Sequence, residues 1–310
     1  MNLSPLHLHH LLNHFPTIGF IVGLSIFVAA LIAKSDDLKR AGLTIFVAIA
    51  FLTIPAYVTG NAAQSAVENS VGVSKTLIET HEGAAFLALI FMELTGAVAW
   101  YGLWRYRRTH YLLPRNLTAV LVLSFMTLGL VARAANIGGE IRHPEIQAAT
   151  ETVTIEGAIA RTVSTYITER PWVWPAAETL HFIGLTLLLG VVLLINLRML
   201  GVMKQISVAA LDRMVPWAVV GFGMNLITGM LFFIAAADQY TGNIAFLWKV
   251  ILMMLAGANA VYFTIFDKSW RLEPGTDATA FSKMMAGSAL VLWIGVMYYG
   301  SMLPFIGNAF

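Results

Sequence analysis

The feature that most constrains this chain is a series of eight long apolar stretches. They cover residues 16–33, 41–59, 82–104, 117–137, 173–197, 214–236, 245–266 and 284–306. A helix needs about 20 mainly apolar residues to cross a bilayer, and an open strand cannot satisfy its backbone groups there. Since 58% of the residues are hydrophobic and only 12% are charged, the sequence predicts an all-α integral membrane protein with eight transmembrane helices.

Basic residues concentrate in alternate loops, which predicts the orientation of the chain. The loops after the first, third, fifth and seventh helices hold Lys34, Lys39, Arg40, Arg105, Arg107, Arg108, Arg115, Arg198, Lys204, Arg213, Lys268, Arg271 and Lys283. The positive-inside rule assigns these loops to the cytoplasm. Both termini are then expected outside, in the periplasm if the membrane is a bacterial inner membrane. The net charge of +2 gives no reason to expect a nucleic-acid partner.

The helix count divides the chain into two halves. Residues 1–137 and 172–310 each hold four of the apolar stretches, and each half is expected to form a four-helix bundle. Residues 138–171 join the halves on the outer face, and a connection of that length usually has a function. Its run from 146 to 167 mixes charged and β-branched residues, which favours a short surface helix or a platform on which a partner docks.

Histidine is distributed very unevenly across the two faces of the membrane. Seven of the eight histidines fall on the predicted outer face: His7, His9, His10, His14, His81, His143 and His181. Imidazole is the commonest metal ligand in proteins and a frequent axial ligand of heme iron. The chain has no cysteine, which excludes iron–sulfur clusters, thiolate zinc sites and covalently attached heme. The pattern therefore indicates a redox or metal carrier.

His14 and His81 are the first candidate ligand pair. His14 precedes Pro16 at the outer start of the first helix, and His81 lies at the outer start of the third. A bundle can place two such rings across its core, which is what a bis-histidine heme b requires. Arg133, one turn inside the outer end of the fourth helix, is expected to hold a propionate. If the N-terminal segment is an interfacial helix, His7 and His10 share a face with His14 and His9 points elsewhere. Simple hydrogen bonding at the interface is the alternative for each histidine.

His181 is the second candidate ligand, about two turns below the outer surface. A histidine at that depth is costly unless it is paired or ligated, and the alternative to ligation is a neutral ring bonded to Glu178 or a helix carbonyl. A second heme would need His143, a histidine of the N-terminal segment, or Met230 as its other ligand. One heme and two hemes both stay open. Lys249 is expected to reach the surface or to pair with Glu178 or a propionate.

Local motifs carry a resemblance over nearly the whole chain. Those of the first half are Asn13-His14-Phe15-Pro16, Gly60-Asn61-Ala62-Ala63, Glu79-Thr80-His81-Glu82 and Gly138-Gly139-Glu140-Ile141-Arg142-His143. This half resembles uncharacterised bacterial four-helix membrane domains that are suspected of binding heme. The second half, with Glu178-Thr179-Leu180-His181, resembles another uncharacterised membrane family, distantly similar to copper-resistance membrane proteins and b-type cytochromes. The resemblance marks His14, His81, His143 and His181 without assigning what they bind.

These observations predict a membrane-bound b-type cytochrome subunit rather than a stand-alone enzyme. It would carry electrons between a periplasmic partner, a c-type cytochrome or a dehydrogenase, and the quinone pool. Glu93 is expected to relay a proton if quinone chemistry occurs here, and the alternative is a protonated Glu93 bonded to a neighbouring helix. The rival hypothesis is a copper or zinc handler or transporter that uses His14, His81, Glu82 and His143 without porphyrin. A third is a cofactor-free anchor of a larger complex.

Overall fold

The computed structural model describes residues 4–68, 74–142 and 155–306, and every regular element in these ranges is helical. The helices are α1 (Pro5–Leu12), α2 (Phe20–Ile32), α3 (Asp36–Val67), α4 (Lys75–Thr109), α5 (Pro114–Arg142), α6 (Ile155–Glu169), α7 (Val173–Leu200), α8 (Val208–Asp212), α9 (Val215–Ala235), α10 (Ala237–Thr241), α11 (Ile244–Phe266) and α12 (Ala280–Ser301). Eight helical segments within these ranges are long and apolar enough to cross a membrane. The predicted all-helical, eight-span, multi-pass membrane protein is therefore confirmed.

Most helices extend beyond the apolar stretches, and the first extends furthest. Its span begins at Pro5, because the Ser4 side chain caps α1 and a proline is tolerated in the first turn. Pro16 does not end the segment, since the backbone passes it in a π-helical turn, Phe15–Gly19, that leads into α2. The helical segment thus includes His9, which hydropathy alone left outside the membrane span.

Consecutive spans pack against each other as four helical hairpins. Hairpin 1 is α1 and α2 against α3, hairpin 2 is α4 with α5, hairpin 3 is α7 with α9, and hairpin 4 is α11 with α12. Two spanning helices joined by a short connection run antiparallel. We call the end at which a hairpin's first helix begins the open end, and the end with the connecting loop the closed end. The basic loops are the four closed ends.

The chain forms two units, Met1–Val163 and Ser164–Phe310, called unit 1 and unit 2. Unit 1 holds hairpins 1 and 2, whose inner helices α3 and α4 pack against each other. Phe46 of α3 packs between two phenylalanines of α2, with ring centroids 5.1 Å from Phe20 and 5.7 Å from Phe27. Aromatic packing of this kind fixes α2 on α3.

Unit 2 holds hairpins 3 and 4 and relies on small residues at one crossing. A Cβ on Gly221 would lie 2.6 Å from the carbonyl oxygen of Gly184, so the backbones of α9 and α7 touch and only glycine fits there. Leu188, Ala256 and Trp293 form one buried cluster from α7, α11 and α12. Helix α7 is therefore held by α9 and also by hairpin 4.

Candidate functional site

His9 is anchored at the open end of hairpin 1. It lies on α1, which packs on α3, and its Nδ1 is 3.0 Å from the carbonyl oxygen of Ala56. A carbonyl only accepts hydrogen bonds, so Nδ1 carries the proton and donates it. The Nε2 lone pair is therefore available as a ligand atom, and it has no hydrogen-bond partner among the described residues.

His81 is anchored in the same way at the open end of hairpin 2. Its Nδ1 lies 3.0 Å from the carbonyl oxygen of Ala134 on α5. Ala84, Ala134 and Ile137 form a buried contact between α4 and α5, and their small size brings the two helices close enough for this bond. Nδ1 again donates, which leaves Nε2 as the ligand atom.

A glycine lies against each of these two imidazoles, four residues after the carbonyl that holds it. A Cβ on Gly60 would lie 2.9 Å from Cε1 of His9, and one on Gly138 would lie 3.0 Å from Cε1 of His81. Both separations are shorter than a carbon–carbon contact allows. The repeated pattern Ala-x-x-x-Gly, at 56–60 and 134–138, therefore forms two matching seats for a histidine ring.

The rings of His9 and His81 lie near each other. They are close enough for an electrostatic interaction between them, and they lie on α1 and α4, which both pack on α3. Each ring belongs to a different hairpin and presents Nε2 as its available nitrogen. The geometry therefore brings together two imidazoles that are already fixed in the tautomer that binds iron or another metal through Nε2.

The sequence predicted His14 as the partner of His81, and that pairing stays a prediction. His14 is exposed, and its Nδ1 lies 2.7 Å from the carbonyl oxygen of His10 in the same helical segment. His9, which was not part of the predicted pair, lies near enough to His81 for an electrostatic interaction. The signal that could have identified it is the second Ala-x-x-x-Gly pattern, which repeats the seat of His81.

The other predicted residues of the first half lie around this pair or outside the described ranges. Arg133 is exposed on α5 and precedes Ala134, whose carbonyl holds His81. Its predicted contact with a propionate stays a prediction. His143 lies outside the described residues, so its predicted role as a ligand stays a prediction.

His181 is anchored by a hydroxyl group in unit 2. Its Nδ1 lies 2.7 Å from Oγ1 of Thr228 on α9, and that hydroxyl also lies 2.7 Å from the carbonyl oxygen of Met224. The single hydroxyl proton goes to the Met224 carbonyl, so Thr228 accepts from Nδ1–H of His181. Nε2 is again the available nitrogen. Neither Glu178 nor a helix carbonyl is the hydrogen-bond partner of this ring.

Lys249 lies near His181 at the open end of hairpin 4. The two side chains are close enough to interact electrostatically, and the lysine is partly buried on α11. Glu178 is exposed and interacts electrostatically with Tyr240. Burial, together with the charge of Glu178, raises the pKa of the Tyr240 phenol above its ordinary value.

Sequence and structure comparisons add no identity to these sites. No protein-family model, no curated protein and no solved structure matches the chain. Within the described ranges no three His, Cys, Asp or Glu side chains are grouped so that they could hold a metal ion. The class of the molecule that can be stated is therefore a multi-pass helical membrane protein, with paired nitrogen side chains at the open ends of its hairpins.

Proposed function

We propose that unit 1 holds a b-type heme between His9 and His81, and that the protein is the electron-transfer subunit of a membrane-bound oxidoreductase. The observation that supports this most is the matched anchoring of the two imidazoles. Each is fixed through Nδ1 by a backbone carbonyl of the neighbouring helix, each is packed on a glycine, and the two lie close together. Interfacial histidines that only bond to headgroups need no such seats.

The donor set fits this group. Heme b takes two axial nitrogens from separate helices of a bundle, and with both axial positions filled it transfers single electrons rather than binding a substrate. The seats formed by Gly60 and Gly138 hold both rings rigidly, so the ligand nitrogens do not have to be ordered when the group binds. Arg133, beside the seat of His81, is the proposed partner of a propionate.

The proposed redox partners follow from the orientation of the hairpins in the membrane. The positive-inside rule assigns the open ends to the periplasm of a bacterial inner membrane, so we propose a periplasmic c-type cytochrome or dehydrogenase as the redox partner. The proposed second partner is the quinone pool. Glu93 supports it, because its buried Oε1 has no hydrogen-bond partner among the described residues, and quinone reduction takes up protons as well as electrons.

The first test is the absorption spectrum of the detergent-purified protein. We expect a Soret band and an alpha band in the reduced-minus-oxidised difference, and a soluble quinol should reduce the heme. His9→Ala and His81→Ala should each remove the unit 1 signal, because one imidazole cannot replace the other. His14→Ala is the matched control, since His14 is an exposed histidine on the same helical segment.

Other results would contradict the proposal in distinct ways. Copper or zinc in a colourless protein would favour the metal-handling hypothesis, and partners that copurify with neither metal nor colour would favour a scaffold. Loss of the signal in His14→Ala, with His9→Ala unchanged, would reject the ligand pair. A heme that no quinol reduces would reject the quinone pool as a partner.

A further inference from the structure

The four hairpins repeat one construction at their open ends. In each, a nitrogen-bearing side chain near the start of the first helix lies against a glycine near the end of the second. The pairs are His9 with Gly60, His81 with Gly138, His181 with Gly229, and Lys249 with Gly300. Three of the four side chains are histidines. Lysine takes the fourth position, so unit 2 has a His–Lys pair where unit 1 has a His–His pair.

The side chain of Lys249 packs against Gly300 as the histidines pack against their glycines. A Cβ on Gly300 would lie 3.6 Å from its Cε and 3.7 Å from its Nζ, so the end of the side chain packs along α12. Among the residues that the structure describes, it makes no hydrogen bond or ion pair. A partly buried ammonium group in a membrane span without a partner is costly, which makes this lysine a candidate functional residue.

His181 is the nitrogen side chain that lies near Lys249. Thr228 holds its Nδ1–H, so Nε2 is the available nitrogen. Its ring interacts electrostatically with Lys249 and packs near Phe232, at 5.7 Å between centroids. Trp174 packs on the same phenylalanine at 4.8 Å. The region next to His181 is therefore lined by aromatic rings, as a flat apolar macrocycle requires.

We propose that unit 2 binds a second heme b, with His181 and Lys249 as its two axial ligands. This inference rests on the proposed function, because it extends the heme site of unit 1 to the equivalent positions of unit 2. A lysine ligates as the neutral amine, so the ammonium group releases one proton to solvent and the Nζ lone pair takes the axial position. Axial ligand identity sets the reduction potential, so the two sites would differ in potential within one chain.

Heme stoichiometry and spin state test this proposal. We expect two hemes b per chain by the pyridine hemochromogen assay, and two low-spin signals by electron paramagnetic resonance of the oxidised protein. Lys249→Ala should remove one low-spin signal and produce a high-spin one, because the sixth ligand is lost. Lys249→His should restore a low-spin signal of the bis-imidazole type. The unit 1 signal reports in each variant that the protein is folded.

A matched control and three contrary outcomes complete the test. Lys75→Ala removes an exposed lysine and should leave both signals unchanged. One heme per chain that survives both Lys249→Ala and His181→Ala would overturn the second site while leaving the proposed function in place. Two low-spin signals that are unchanged in Lys249→Ala would overturn lysine ligation alone. A wild-type protein without heme would overturn both proposals.

Discussion

The two units use one hairpin design but anchor their histidines by different groups. In unit 1 the rings of His9 and His81 donate to backbone carbonyls, and a glycine packs closely against each ring. In unit 2 His181 donates to a hydroxyl, and a Cβ on Gly229 would lie at an ordinary 3.9 Å from its ring. The seats of unit 1 are thus set by backbone geometry, while that of unit 2 depends on one replaceable side chain.

Unit 2 also has a charged anchor at its closed end. In unit 2 the fully buried Arg198 donates from Nε to Ile206 O at 2.8 Å, and from its terminal nitrogens to Glu273 O and Thr276 O at 3.1 and 3.2 Å. It joins the loops of hairpins 3 and 4. A charged group that satisfies three carbonyls stabilises a loop region strongly. The proposed ligand site and this structural anchor therefore lie at opposite ends of unit 2.

The largest expected effect comes from Arg198→Ala, which separates the stabilities of the two units. Three carbonyls lose a charged donor, so we expect unit 2 to lose about 3 kcal/mol of unfolding free energy. The His9–His81 site should be unaffected, because it lies in the other unit. Unfolding in detergent, followed by the two heme signals, measures this. The control is Arg213→Ala, an exposed arginine in the same region, and equal destabilisation by both variants would contradict the prediction.

Added methyl groups test the difference between the seats. Gly138→Ala should weaken heme binding in unit 1 by roughly 10- to 100-fold, because the new Cβ displaces the His81 ring from its carbonyl. Gly229→Ala should leave the unit 2 site unchanged, since the methyl group meets the His181 ring at contact distance. Heme titration of the apoprotein compares the two. Equal weakening in both units would show that the seats do not differ.

Replacing the hydroxyl that accepts the hydrogen bond from His181 is expected to weaken heme binding in unit 2 only. Thr228→Val keeps the shape of the side chain but removes the hydroxyl that orients His181, so we expect roughly 10-fold weaker binding there. Thr228→Ser keeps the acceptor and serves as the control. In unit 1 no side-chain substitution can delete the equivalent carbonyl. Equal affinities for the Val and Ser variants would show that the hydrogen bond does not orient the ring.

The smallest expected effect is an acid dependence at the closed end of unit 2. Hydrogen bonds from Lys204 and Lys283 hold the pKa of the exposed Asp277 carboxyl below its ordinary 3.8. The ionised form is favoured by folding, so this stability is present above that ordinary value and is lost as the pH falls through the lower, folded value. Melting temperatures of wild type and Asp277→Asn should differ slightly at pH 6, and the difference should shrink as the pH falls below 3.8. A constant difference would contradict the assignment.

The span architecture was predictable because lipid imposes a simple requirement on sequence. About twenty apolar residues and a satisfied backbone define a spanning helix, and the part of the chain that the structure describes contains eight such helices. The extension of the first helix to Pro5 was not predicted, since polar end turns carry no hydropathy signal and Pro16 usually marks a helix start. The predicted helix between 146 and 167 corresponds to α6, Ile155–Glu169.

The candidate site was predictable only in part. His81 and His181 were predicted as functional residues because an ionisable side chain at these depths is costly unless it is paired or ligated. His9 did not, because its partners Ala56 and Gly60 are distant in sequence and the contact depends on the packing of α1 on α3. The proposed role of Lys249 could not be predicted from the sequence either. A lysine on the surface and a partly buried lysine differ only in their neighbours, which the sequence does not show.

The sequence by itself determined the membrane, the number of crossings and the residue types that are able to bind iron or metal. These follow from local composition, because each segment enters the bilayer according to its own hydrophobicity. Only the tertiary structure decided which imidazoles lie near each other, which nitrogen of each ring is available, and which glycine packs against each ring. Those properties depend on helix–helix distances of a few ångströms, and no segment contains that information alone.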